Sequence, residues 1–134
     1  MLMPPIDRYM TRQPWTIGRD ATMSQAQQVM RQHQIRHLPV LDAGKLVGIV
    51  SERDLHFIET LPCGDPDEVA IGDVMVVDVF TVGADAPADS VVETMATRKY
   101  GSALVVDRHG EVIGIFTTID AMQVFADVLQ RETS

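Results

Sequence analysis

The sequence predicts an α+β fold, two βαββα repeats packed as a pseudo-two-fold pair. Three observations carry the prediction. The chain matches itself when shifted, each copy alternates short β-type apolar runs with helix-period segments, and glycine-bearing turns fall at matching places. A shift of 65 residues sets Met10 on Met75, Trp15 on Phe80, Thr16 on Thr81, Met30 on Met95, Val40 on Val105 and Asp42 on Asp107. One extra residue in the second copy then makes the shift 66. Gly44 now meets Gly110, Gly48 meets Gly114, Ser51 meets Thr117 and Asp54 meets Asp120.

The elements follow in the same order in each copy. Pro14 to Ile17 and Val79 to Val82 read as short extended segments. An amphipathic helix comes next, with Ala26, Val29 and Met30 or Val91, Val92 and Met95 on its apolar stripe. Ser24 and Asp89 stand near the helix starts, where a short oxygen-bearing side chain can cap free N–H groups. His37-Leu38-Pro39-Val40-Leu41 and Ala103-Leu104-Val105-Val106 each give a strand. Turns at Asp42 to Lys45 and Asp107 to Glu111 follow, glycine supplying the positive φ that a hairpin needs. Leu46 to Val50 and Val112 to Phe116 form the return strands, and a helix starts at Ser51 or Thr117. Leu61 to Val69, with two prolines, a glycine and three acidic residues, reads as the connector. The repeats are drawn at 1–65 and 66–134, the second ending in a helix that carries Met122, Val124, Phe125, Val128 and Leu129. One copy alone leaves sheet and helix faces uncovered, so the two copies are expected to share their burial. The apolar last helix suits self-association into a homodimer.

Composition narrows the function classes. With 46% apolar residues the chain can build a core. The formal net charge of −8 and a pI near 4.7 argue against general binding to nucleic acid or to an anionic membrane. The same field opposes a phosphate ligand, so a local arginine or lysine must supply the attraction. A single cysteine, Cys63, cannot close an internal disulfide and reads as a free surface thiol, which fits a reducing, cytoplasmic setting. The N-terminal residues show no signal-peptide pattern, and no apolar stretch is long enough to insert in a bilayer. His33 and His37 are four apart, but no carboxylate completes a metal pattern. There is no phosphate loop and no nucleophile elbow, so the chain reads as a non-enzyme with no catalytic residues and no metal.

Gly48-Ile49-Val50-Ser51-Glu52-Arg53-Asp54 and Gly114-Ile115-Phe116-Thr117-Thr118-Ile119-Asp120 both fit the pattern G-h-h-[S/T]-x-x-D. Before them stand Ile35-Arg36-His37-Leu38-Pro39-Val40 and Tyr100-Gly101-Ser102-Ala103-Leu104-Val105. On these residues the chain resembles the tandem cystathionine-β-synthase (CBS) domain family, the Bateman module, over roughly Ile6 to Met122. The resemblance implies a stand-alone regulatory pair whose clefts between repeats take AMP, ADP, ATP, S-adenosylmethionine or NAD, with no cofactor required. It implies frequent dimerisation and a regulated enzyme or transporter as partner. One implied nucleotide-binding cleft uses Thr16, Ile17, His37, Leu38 and Pro39, completed by Thr117 and Asp120 of the other copy. The second uses Thr81, Val82, Gly101, Ser102 and Ala103, completed by Ser51 and Asp54. Arg36 and Arg53 are the phosphate candidates.

The chemistry of Ser/Thr-x-x-Asp after a strand is open to two readings. A hydroxyl at a helix N-terminus, with backbone N–H groups and the dipole, favours an anion, and a carboxylate one turn on can accept ribose hydroxyls. The same pattern is also a plain helix cap with a favourably placed acid. The copies are unequal, because Gly101 and Ile119 occupy in the second the places of Arg36 and Arg53 in the first. A ligand-free dimerising scaffold that modulates a partner is the alternative function, and a hydrolase using the two aspartates is a weaker third.

Overall fold

A computed structural model describes residues 3–62 and 64–133, so Cys63 lies outside the described residues. The chain runs through a 3₁₀ turn at Ile6–Arg8, β1 (Thr11–Arg12), β2 (Ile17–Gly18), α1 (Met23–His33), β3 (His37–Asp42) and β4 (Lys45–Ser51). It continues through α2 (Glu52–Glu59), α3 (Ile71–Val74), β5 (Thr81–Gly83), α4 (Ala88–Arg98), β6 (Ser102–Val106), β7 (Val112–Thr117) and α5 (Thr118–Thr133). The fold is α+β, and the order β-α-β-β-α occurs twice, as β2 to α2 and as β5 to α5.

The chain forms two compact units. One is Trp15–Val79; the other joins the described residues up to Pro14 with those from Phe80 onward. In the first, β2 runs parallel to β3 and β3 antiparallel to β4, giving the order β2-β3-β4. The hairpin turns through Ala43 (φ 51°) and Gly44 (φ 81°), as the mirror-image turns favoured by twisted strands require. Helix α1 is started by Thr22 rather than Ser24. Its hydroxyl accepts the Gln25 N–H at 3.2 Å while Gln25 Oε1 accepts the Thr22 N–H at 2.9 Å, a reciprocal capping box. Asp89 likewise is not the residue before α4, a place held by Pro87. The core gathers Ile17, Met23, Ala26, Met30, Leu38, Val40, Val50, Leu55 and Ile71.

The other unit repeats this plan with one strand added. Its sheet order is β1-β7-β6-β5, with β5 parallel to β6 and β7 antiparallel to both β6 and β1. Ile6, Met10, Ala88, Val91, Met95, Ala103, Val105 and Phe116 make its core. Helix α5 buries no residue completely; Ile119, Met122, Phe125, Val128 and Leu129 are exposed along it. No helix among the described residues is long and apolar enough to cross a membrane.

The compact units differ from the stretches 1–65 and 66–134, and the reason is a reciprocal exchange of flanking segments. Ile6 to Met10 precedes the first repeat in sequence but packs in the unit of the second. Ile6 N–H donates to Ala86 O at 2.7 Å, and Asp7 N–H donates to Ala84 O at 3.1 Å. Ile71 to Met75 precedes the second repeat but packs in the unit of the first, Ile71 N–H donating to Ala21 O at 2.7 Å and Gly72 N–H to Arg19 O at 2.8 Å. These bonds correspond one to one under the 65-residue shift. Both isoleucines are fully buried. Apolar surface removed from water stabilises at about 25 cal/mol per Å², and neither flank could bury its isoleucine without a sheet and helix to receive it.

Candidate functional site

Residues of the two S/T-x-x-D motifs lie where a strand hands over to a helix, β4 to α2 and β7 to α5. Ladder register decides their neighbours. His37 pairs with Ser51 across β3 and β4, and Ser102 pairs with Thr117 across β6 and β7. Within one unit the fold thus gathers His37, Ser51 and Asp54, and within the other Ser102, Thr117 and Asp120. These are residues that the sequence reading divided between two clefts.

Both motifs cap their helices. Ser51 Oγ accepts the Asp54 N–H at 3.1 Å, and Thr117 Oγ1 accepts the Asp120 N–H at 3.3 Å. The helix-opening Glu52 N–H is taken by Arg36 O at 2.8 Å and that of Thr118 by Gly101 O at 3.1 Å. Two of the leading donors at each helix are therefore already satisfied, which leaves less for an anion than the motif alone suggests. The carboxylates then diverge. Asp120 is half-buried and folds back on its own cap, accepting from the Thr117 N–H at 2.9 Å and the Thr117 hydroxyl at 3.2 Å. Asp54 is exposed. Its charge is felt instead by His37, which is half-buried. Burial pushes the His37 imidazole below the ordinary histidine value; Asp54 opposes that shift and Arg36 adds to it.

The remaining candidates fall into two groups. Leu38 and Ala103 are core residues with no exposed surface, backbone included. Pro39 is also buried, as are Ile17 and Ser102. Thr16, Thr81, Gly101, Arg36 and Arg53 are exposed, and Val82 is half-buried. Burial does not alternate along β3 and β6: Leu38, Pro39 and Val40 are buried in succession, as are Ser102 to Val105, so both faces of these strands are covered. Among the described residues no group of three or more His, Cys, Asp or Glu is placed to hold a metal ion.

The His37 environment makes a prediction. Its folded value lies below the unfolded value of 6.5, so the unfolded chain binds the proton first and stability falls as pH drops from above 6.5 through the folded value. His37→Ser, which installs the residue found at the matching place in the second copy, should flatten that part of a melting-temperature profile against pH. Parallel profiles for the two proteins would contradict it.

A doubled βαββα unit with a hydroxyl-capped helix after each hairpin defines a class of tandem-repeat α+β modules. The chain belongs to the CBS domain family, whose model matches residues 6–57 and 71–127. It is 32% identical over 114 residues to an inosine-5'-monophosphate dehydrogenase of Korarchaeum cryptofilum, which covers 85% of this chain and 23% of that protein. Thus the chain spans less than a quarter of that relative's length. Two solved structures are similar along nearly all of their length. A Vibrio cholerae protein named for acetoin utilization shares 33% identity at a TM-score of 0.85, covering 99% of this chain and 98% of that one. The CBS domain pair of protein MJ0100, solved with 5'-methylthioadenosine and S-adenosyl-L-methionine, shares 27% identity at a TM-score of 0.84, covering 93% and 98%.

Proposed function

We propose that the chain is a regulatory, non-catalytic module that binds an adenosine-type ligand (AMP, ADP, ATP or a related adenosyl compound). The observation that carries the reading is the doubled group of hydroxyl cap and carboxylate, Ser51 with Asp54 and Thr117 with Asp120. The adenosyl ligands of the MJ0100 pair support it. Thr16, Ile17, Leu38 and Pro39, and Thr81, Val82, Gly101, Ser102 and Ala103, are the proposed base-side residues, of which Thr16, Thr81 and Gly101 are exposed. Arg36 and Arg53, with His37, favour a phosphate-bearing ligand near the first motif, against the overall charge of −8. In the second copy Arg98, Lys99 and Arg108 are near in sequence, but Gly101 and Ile119 stand at the places of Arg36 and Arg53, which suits a weaker site or a ligand without phosphate.

The test is a melting-temperature screen with AMP, ADP, ATP, S-adenosylmethionine and NAD. A ligand that binds only the folded state adds about 2.7 kcal/mol at a concentration a hundredfold above its Kd, enough for a shift of several degrees. The absence of a shift with all five would sink the proposal.

A second reading, a dimerising scaffold that docks on a partner without a ligand, is favoured by the exposed apolar row Ile119, Met122, Phe125 and Leu129 on α5. It predicts that Asp54→Ala with Asp120→Ala leaves self-association and partner binding intact.

A further inference from the structure

Each unit contains an aromatic stack that the nucleotide reading does not use. The indole of Trp15 stacks on His33, the last residue of α1, with ring centroids 3.8 Å apart and planes 14° from parallel. Phe80 stacks on Tyr100, just beyond α4, at 5.1 Å and 16°. Trp15 and Phe80 are counterparts in the repeat, and each immediately precedes a Thr-hydrophobe dipeptide, Thr16-Ile17 or Thr81-Val82. Their partners are not counterparts. Under the 65-residue shift His33 falls on Arg98, and Ile35 falls on Tyr100. Two different residues thus provide the same arrangement, a ring from the end of the helix laid on the ring that opens the strand.

Burial does not account for Trp15, which is 55% exposed. Backbone pairing does not reach it either. The β2 ladder begins at Ile17, opposite Val40, and extends only to Gly18, opposite Leu41. A two-residue strand holds its own N-terminal neighbour weakly, and Thr16 lies just outside the ladder. On the other side of Thr16 the Trp15–His33 stack is the nearest contact, the next backbone bond being that from the Gln13 N–H to Ile113 O at 3.2 Å.

We infer that the Trp15–His33 stack is a clamp that holds Thr16-Ile17 in the pose a ligand meets, with Trp15 as the positioning residue. At the second stack Phe80 O accepts the Leu104 N–H at 2.9 Å and Thr81 is itself in the β5 ladder, so the backbone there is held without the rings. The ligand's identity rests on the nucleotide reading above; the clamp itself does not. A clamp cannot contribute more than the stack is worth, about two- to tenfold in an equilibrium.

The experiment compares the full chain with Trp15→Ala and Trp15→Phe. Amide hydrogen exchange at Thr16 and Ile17 is followed without ligand, and AMP affinity is measured by calorimetry. Trp15→Ala should speed exchange at the dipeptide and weaken AMP by about two- to tenfold, and Trp15→Phe should restore both because a ring remains to stack. The melting temperature should move little, since an exposed side chain leaves no cavity behind. Unchanged exchange in Trp15→Ala overturns the clamp, and so does faster exchange that Trp15→Phe fails to restore. AMP bound equally tightly by Trp15→Ala overturns its role toward the ligand. Should AMP bind none of the three proteins, the AMP reading falls, while faster exchange in Trp15→Ala still supports the clamp.

Discussion

Ile71→Ala is expected to cost about 2–5 kcal/mol of stability, as large-to-small changes in a closed core do. Ile71 has no exposed surface and lies in the core built by Met23, Met30, Leu38, Val50 and Leu55. In sequence it stands ahead of the second repeat, and a reading by repeats would expect the damage there. The fold puts the damage in the unit Trp15–Val79 instead. Its counterpart Ile6 is equally buried, in the unit that holds Val91, Met95 and Phe116, so Ile6→Ala should cost a similar amount. Met122→Ala serves as the control, because Met122 is 64% exposed on α5 and surface changes usually stay within about 0.5 kcal/mol. Urea unfolding followed by circular dichroism separates the cases. An Ile71→Ala protein within about 1 kcal/mol of the parent, well under the range for a closed core, would show that the flank is not part of that core.

The exchange of flanks was the least legible part of the fold, and the reason is physical. Periodicity and turn chemistry are local: they report that Ala26 and Met30 share a helix face, or that Gly44 can turn a hairpin. They do not report which of two similar sheets receives Ile6, since both present the same apolar surface to it. The strands, hairpins and helix order, by contrast, were readable because each copy repeats the same local signals. The cap of α1 was readable too, in Thr22 followed three residues later by Gln25, but Ser24 was the residue singled out. At the candidate site the motif residues were legible, while their partners depended on ladder register. Only the pairing of His37 with Ser51 explains why Asp54 acts on His37. Leu38 and Ala103 are expected by resemblance to line base pockets, and the structure buries both residues in the two cores. The difference between Asp54 and Asp120 had no sequence signal, as it depends on which way one carboxylate turns.

Gly48→Ala and Gly114→Ala are the same substitution at matching places, yet they should differ. A Cβ added at Gly48 would sit 2.6 Å from Met75 Sδ and 2.9 Å from Val76 O. The methionine can move, but the carbonyl is fixed. Val76 and Ile49 exchange both backbone hydrogen bonds at 2.9 Å, so retreat of Val76 O would break the bridge that ties the flank to β4. At Gly114 the nearest atoms all belong to the Met10 side chain, including Cγ at 2.9 Å and Cε at 3.1 Å, and methionine repacks readily. Replacing glycine in a strand also gains about 0.4–1 kcal/mol by restricting the unfolded chain. Overpacking costs about 1–3 kcal/mol when the neighbour cannot yield, so Gly48→Ala should be clearly destabilising and Gly114→Ala milder. Combining each with truncation of its methionine sharpens the contrast. Met10→Ala should absorb part of the Gly114→Ala strain, giving a non-additive pair, whereas Met75→Ala cannot relieve the contact of a Gly48 methyl with Val76 O. Because β4 runs from Gly48 directly to Ser51, the Gly48 change should also disturb the cap that holds Asp54 and weaken any nucleotide bound beside it. Equal costs at the two glycines would mean that the Val76 carbonyl yields as easily as a thioether, and the flank would then be held far more loosely than its hydrogen bonds indicate.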